Sequence, residues 1–283
     1  MANIIDGKAI SMDIKNEVKV KAEELKAKGI EPCLAVVLVG EDPASQVYVR
    51  NKKKACEYCG IKSLNYELSE DTTEEELLSL IDELNANKEC NGILVQLPLP
   101  KHIDENKVLL RIKPEKDVDG FHPYNVGLLS IGKADLKACT PAGCIELIKR
   151  SGVDITGKHC VVVGRSNIVG KPVGMLLLSE NGTVTTCHSK TKDIKAVCRE
   201  ADILVAAVGI PKFIKGDMVK DGVVVIDVGI NRMDNGKLCG DVDFDEVEKK
   251  ASYITPVPGG VGPMTIAMLM NNCIVACKKQ NNL

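Results

Sequence analysis

The chain has 283 residues, 45% hydrophobic and 27% charged, a balance that suits one large globular domain or two of ordinary size. A formal net charge of -2 and an aromatic content of 3%, with no Trp, give no electrostatic or stacking reason to expect a nucleic-acid partner or an anionic membrane surface. The N-terminal stretch is broken by Asp6 and Lys8 and has no apolar segment of the kind a signal peptide needs. No apolar run approaches the ~18 residues of a membrane span, so a cytoplasmic location and no membrane partner are expected.

Twelve Cys are present, and most, such as Cys33, Cys160, Cys187 and Cys273, lie inside apolar runs. They read as small buried hydrophobes in a reducing compartment. Cys56 and Cys59 form a C-x-x-C with no second ligand pair at metal spacing, so no metal is expected.

In chain order, Ile10, Ile14, Val18 and Leu25 mark one face of a helix that Gly29 ends. Cys33 to Val39 is a continuous apolar run and reads as a strand buried on both faces. Asp42-Pro43 is an N-cap with Pro at the first helical position, opening a helix through Tyr48 and Lys52 to about Cys59. Ile61 to Leu68 is a strand. Thr73 and Glu76 form a capping box for a helix that buries Leu77, Leu80, Ile81 and Leu84. Gly92 to Leu97 is a strand stopped by Pro98.

The alternation then lapses, and a connection is expected over 117–131. Thr140-Pro141 reads as a second N-cap and N1 pair. The rhythm resumes with strands from His159, Thr183, Ile203 and Val223 and helices over 169–178 and 194–199. A last helix starts at Pro263. Strands alternating with helices imply βαβ units and parallel sheets. The expected organisation is α/β with two domains: 1–119, and 140–262 as a Rossmann-type doubly wound domain.

The most informative local motif runs from Val161 to Pro172, V-V-V-G-R-S-N-I-V-G-K-P, between a strand and a helix. Backbone N–H groups and a helix N-terminus there suit a dinucleotide pyrophosphate. The pattern departs from G-x-G-x-x-G: Ser166 replaces the second Gly and Gly170 falls one residue late. A Gly-rich turn without a ligand stays open on pattern alone. The next strand ends His188-Ser189-Lys190, without the Asp or Glu that commonly takes the ribose hydroxyls of NAD. With Arg165 in the turn, this suits a 2′-phosphate and hence NADP.

In the first half, Tyr48 and Lys52 stand four residues apart on one helix face. A solvated basic face is the bland alternative, since Lys53 and Lys54 continue the run. Gln96, however, lies at the carboxyl end of a buried strand, where ligands of parallel sheets bind. Asp119 sits in the polar loop D-V-D-G-F-H-P. The Thr255–Thr265 segment, T-P-V-P-G-G-V-G-P-M-T, has a backbone that a flat ligand can approach closely.

At these residues the chain resembles the bifunctional methylenetetrahydrofolate dehydrogenase/cyclohydrolase family over essentially its whole length. The resemblance rests on S-Q-V-Y-V-R-N-K-K-K-A-C from Ser45, G-I-L-V-Q-L-P-L-P from Gly92, D-V-D-G-F-H-P-Y-N-V-G from Asp117 and C-T-P-A-G from Cys139. It continues in V-V-G-R-S-N-I-V-G from Val162, V-I-D-V-G-I-N-R from Val225 and Y-I-T-P-V-P-G-G-V-G-P-M-T from Tyr253. It implies two α/β domains with a cleft between them, the last helix, 263–283, packed back on the first domain, and a homodimer. It implies that Lys52 is the general acid/base, tuned by Gln96, while Tyr48 packs on the folate and Asp119 holds the pterin. Val95, Leu97, Pro258, Gly259, Gly260, Val261 and Gly262 would line the folate site. Gly164, Arg165, Ser166 and Ser189 would hold NADP, and Ile230 would meet it by its backbone.

The implied activity oxidises 5,10-methylenetetrahydrofolate and hydrolyses the methenyl product to 10-formyltetrahydrofolate, in one-carbon metabolism that feeds purine and amino-acid biosynthesis. Two other readings are a shikimate-dehydrogenase-like NADP enzyme and a non-catalytic dinucleotide-binding module. The V-Q-L-P-L-P and P-G-G-V-G-P blocks speak against the first. The joint presence of Tyr48, Lys52, Gln96 and Asp119 speaks against the second.

Overall fold

A computed structural model describes residues 2–283, and Met1 lies outside them. In chain order the elements are β1 (Asn3–Ile4), α1 (Gly7–Ala27), β2 (Cys33–Val39), α2 (Pro43–Cys59), β3 (Lys62–Leu68), α3 (Glu74–Ala86) and β4 (Gly92–Val95). Then come α4 (Glu105–Arg111), α5 (Pro123–Ser130), α6 (Cys139–Arg150), β5 (His159–Val163), α7 (Gly170–Ser179), β6 (Thr183–Cys187) and α8 (Ile194–Arg199). The rest are β7 (Ile203–Ala206), β8 (Val224–Asp227), β9 (Asn231–Arg232), β10 (Leu238–Cys239), α9 (Phe244–Val247), β11 (Tyr253–Ile254) and α10 (Val261–Gln280). The chain is α/β and forms two compact units, Met12–Cys139 with Ile266–Leu283, and 2–11 with Thr140–Thr265.

The first of these units is built on a parallel sheet in the order β3-β2-β4. All seven residues of β2 are buried, which is why its sequence is apolar without alternation. Ala35 and Val37 pack with Leu77, Ile81 and Leu84 of α3. Burying a Leu or Ile side chain in such a core contributes about 1.5–3 kcal/mol. Asp42 caps α2 by accepting from the Ser45 N–H at 2.7 Å, and Gly60 ends the helix at φ 71°. Thr73 and Glu76 form the capping box of α3, and the buried Lys116 amine donates to the Leu84 and Asn87 carbonyls at its far end.

Four sequence expectations change. The 117–131 connection contains α5, capped by the His122 ring and opened by Pro123, and α4 precedes it, capped by Asp104. Both helices are too short to show a repeating apolar face. Helix α6 begins at Cys139, so Thr140 lies inside it rather than capping it, and its hydroxyl pairs with that of Thr265 at 2.8 Å. Residues 2–11 group with the second half, because β1 pairs in parallel with β11. Helix α10 is long and apolar enough by length and composition to cross a membrane (hydropathy 1.2), although 61% of that window is buried inside the fold. Its Asn272 amide donates to the Val118 and Lys137 carbonyls.

The second unit carries a six-stranded parallel sheet in the order β1-β11-β8-β7-β5-β6. The chain order reverses at β5, whose two neighbours are β6 and β7. A crevice at the carboxyl ends of those strands is where open α/β sheets bind ligands.

Candidate active site

In the six-stranded unit, the turn after β5 is shaped by two glycines. Gly164 has φ 130°, and a Cβ there would lie 2.1 Å from the Ala207 carbonyl oxygen. A Cβ on Gly170 would lie 2.3 Å from the Gly164 oxygen. The Ser166 hydroxyl accepts from the Val169 and Gly170 N–H groups at 3.1 and 3.3 Å, so it ties the turn to the start of α7, whose N-cap position is Val169. The Gly is late because the turn is one residue longer than G-x-G-x-x-G, and Ser166 closes it.

A pocket of about 520 Å³ opens here, lined by Gly164, Arg165, Ser166, His188, Ser189 and Val208 among others. No Asp or Glu is among its lining residues. Arg165 is exposed, at the mouth of the turn. The His188 Nδ1 accepts from the Lys190 N–H at 3.1 Å, which leaves the other ring nitrogen as the donor of the neutral side chain. Close backbone approach, a helix N-terminus and an unopposed cation fit a phosphorylated dinucleotide. Ile230 lies in the same unit, half exposed on the loop after β8, with its Cδ1 3.7 Å from where a Cβ of Gly262 would stand.

In the other unit, α2 carries Tyr48, 46% exposed, one turn before Lys52, 8% exposed. The Lys52 amine donates to Gln96 Oε1 at 2.8 Å, and Gln96 Nε2 donates to the Leu97 carbonyl at 2.6 Å. The second bond fixes which way the amide points, so an oxygen faces the amine. Burial lowers the pKa of Lys52, outweighing the charge of Asp119, which raises it. Burial pushes Asp119 up to about 6 against the pull of Lys52. An amine that releases its proton more readily than a free Lys, beside a carboxyl that holds its proton more tightly than a free Asp, is a set built for proton transfer. Val95 packs into the core of this unit, so its main chain is what it can offer a ligand; Leu97 is partly buried against the same core.

Pro258, Gly259, Gly260, Val261 and Gly262 belong to the six-stranded unit. Gly7 and Gly260 touch so closely that a Cβ on Gly7 would lie 1.9 Å from the Gly260 oxygen.

Two residues near Asp119 carried no sequence signal of their role. Cys139, which composition assigns to packing, donates from Sγ to the Val118 carbonyl at 3.3 Å, and burial with the Asp119 charge holds its thiol well above the ordinary value. Asp117 accepts from the N–H groups of Gly120, Phe121 and His122 and from the Asn125 amide, so it shapes the loop that presents Asp119. Asp117→Ala leaves these donors without their acceptor and is expected to lower stability by about 3 kcal/mol, read from denaturant unfolding of the full chain.

Known proteins match both halves. The catalytic domain of the tetrahydrofolate dehydrogenase/cyclohydrolase family matches residues 5–119, and its NAD(P)-binding domain matches residues 138–281. The Bifunctional protein FolD of Agathobacter rectalis is 68% identical over 279 residues, covering 99% of this chain and 100% of that protein. The crystal structure of the bifunctional methylenetetrahydrofolate dehydrogenase/cyclohydrolase FolD from Campylobacter jejuni is 55% identical, with TM-score 0.97 over 100% of both chains. The FolD structure of Trypanosoma brucei, complexed with NADP and an inhibitor, is 42% identical, with TM-score 0.93 over 100% of this chain and 99% of that one. A shikimate dehydrogenase from Aquifex aeolicus, 14% identical at TM-score 0.53 over 89% of this chain and 93% of that one, shares the fold alone. The chain belongs to the tetrahydrofolate dehydrogenase/cyclohydrolase family.

Proposed function

We infer that this protein oxidises 5,10-methylenetetrahydrofolate to 5,10-methenyltetrahydrofolate with NADP and hydrolyses that product to 10-formyltetrahydrofolate. The observation that carries the reading is the buried Lys52 amine held at 2.8 Å by Gln96. A module that only bound a dinucleotide would have no use for a buried, hydrogen-bonded amine of lowered pKa in its other unit.

The two steps ask different things of the chain. The methylene carbon lies between two nitrogens, and hydride loss leaves a cation that both stabilise, so no proton need be taken. NADP supplies the hydride acceptor when bound. The chain's task is to hold the reactants in place, with Tyr48 packing on the folate and Asp119 holding the pterin. The Gly164 turn, Arg165, Ser166 and Ser189 hold the dinucleotide, with the Ile230 backbone. Hydrolysis adds water to the methenyl carbon and opens a C–N bond, which requires proton transfers. Lys52 carries those protons, and Gln96 keeps its amine aimed.

The protein acts as a homodimer in the cytoplasm, on tetrahydrofolate substrates, and serves purine and amino-acid biosynthesis. The support is the family membership. One absorbance assay tests the activity. Pure protein given methylenetetrahydrofolate and NADP is expected to form NADPH and methenyltetrahydrofolate, and then to consume the methenyl compound. Folded protein that does neither would overturn the reading.

A further inference from the structure

Of the acidic side chains buried in the six-stranded unit, Asp243 pairs with Lys215 at 2.8 Å, whereas Asp227 and Asp241, 4% and 0% exposed, face N–H groups. Asp227 ends β8, and its carboxylate accepts from the N–H groups of Gly229, Asp241 and Val242, each at 2.9 Å. Asp241 follows the β9–β10 hairpin. Its carboxylate accepts from the N–H groups of Val208 at 2.7 Å and Gly209 at 2.9 Å, and from the Asn231 amide at 2.9 Å. All of these donors are neutral. Buried carboxylates are costly, and directed N–H groups are one way to hold them. Burial still pushes Asp227 up to about 6, and the Asp241 charge adds to that push.

The surrounding backbone is cut to fit the pair. A Cβ on Gly229 would lie 2.2 Å from Asp241 Oδ1, and one on Gly240 would lie 1.8 Å from Asp227 Oδ2. The segments tied together are the loop after β7, whose Val208 and Ile210 line the dinucleotide pocket, and the loop after β8, which carries Ile230. Asp227 holds the backbone of Asp241, and the side chain of Asp241 spans the two loops.

We propose that Asp241 is a positioning residue for the dinucleotide, its carboxylate setting the loops after β7 and β8 at the spacing the cofactor requires. Asp227 acts through Asp241. The proposal rests on reading this pocket as the NADP site. A carboxylate offers two acceptor oxygens to three donors. An amide of the same size replaces one of those oxygens with an NH2 group, which then faces either the Val208 and Gly209 N–H groups or the Asn231 amide.

The test uses the full chain with Asp241→Asn. The dissociation constant and KM for NADP are expected to rise about tenfold or more. Hydrolysis of methenyltetrahydrofolate, which depends on Lys52 in the other unit and needs no dinucleotide, is expected to stay within about twofold of the parent. Asn231→Ala removes one bond to the same carboxylate and is expected to weaken NADP binding about threefold. Unchanged NADP binding in folded Asp241→Asn overturns the proposal, as does a parallel loss of both activities with the thermal midpoint. If Asp241→Asn does not fold, Asn231→Ala decides by the same comparison, and unchanged NADP binding overturns. A parent protein that binds NADP but reduces none of it overturns the functional reading instead and leaves the binding comparison intact.

Discussion

Lys52→Met is expected to lower hydrolysis of methenyltetrahydrofolate by about 10²–10⁴-fold, the usual contribution of a positioned proton carrier. The variant keeps a chain of similar length in a nearly closed site (Lys52 is 8% exposed) and deletes only the amine. Hydride transfer has no proton requirement at that atom, so the dehydrogenase rate should fall much less. The pH profile separates the chemical role from a supporting one. Burial lowers the Lys52 pKa, so more of the amine is neutral at a given pH than in a free Lys. The limb of the hydrolysis profile that reports this group should lie below the ordinary Lys range in the parent and vanish in the variant. Two stopped assays, one following methenyl decay and one following NADPH, read both effects. Equal loss of the two activities would show that Lys52 orients the folate or supports the fold.

Local patterns made much of the fold legible. The unbroken apolar run of β2, the Asp42-Pro43 start of α2 and the Thr73–Glu76 capping box each carry their own physical signature, and each element lies where its signature puts it. Strand β1 has two residues and is a strand only because β11 pairs with it, a partner 250 positions away (253 − 3) that no local pattern can announce. The lapse read as a connection hides α5, whose cap is a His ring rather than a Ser, Thr, Asp or Asn. At the site, Gln96 was legible as the end of a buried strand and Lys52 as one face of a helix, but their bond is a fact of packing. In D-V-D both Asp residues look alike in sequence. The structure gives Asp117 the loop's N–H groups and leaves Asp119 to the Lys52 amine. Asp227 and Asp241 were silent because a buried Asp with N–H partners leaves no mark that distinguishes it from a surface one.

Arg165→Ala is expected to raise KM for NADP about 10- to 100-fold and to leave KM for NAD nearly unchanged. The argument starts from what the pocket lacks. Where an NAD site commonly has an acid at the end of the second strand, β6 is followed by His188, Ser189 and Lys190, and no carboxylate lines the pocket. The ribose hydroxyls of NAD therefore meet no charged acceptor there. On the proposed reading, the 2′-phosphate of NADP would meet the Arg165 guanidinium, which can offer paired N–H bonds to its oxygens, and the Ser189 hydroxyl. Arg165 is exposed, so the attraction is partly screened, and added salt should weaken NADP binding more than NAD binding in the parent. That difference should shrink in the variant, because the charge that salt screens is gone. Lys190 is exposed next to Ser189 and can take up part of the phosphate contact, which places the single variant toward the lower end of the range and Arg165→Ala with Lys190→Ala toward the upper. The guanidinium does not hold the turn: the bonds to the Ser166 hydroxyl and the close contacts of Gly164 and Gly170 do that, so the variant should keep its folate hydrolysis. Equal weakening of NADP and NAD would show instead that Arg165 supports the turn and does not read the phosphate.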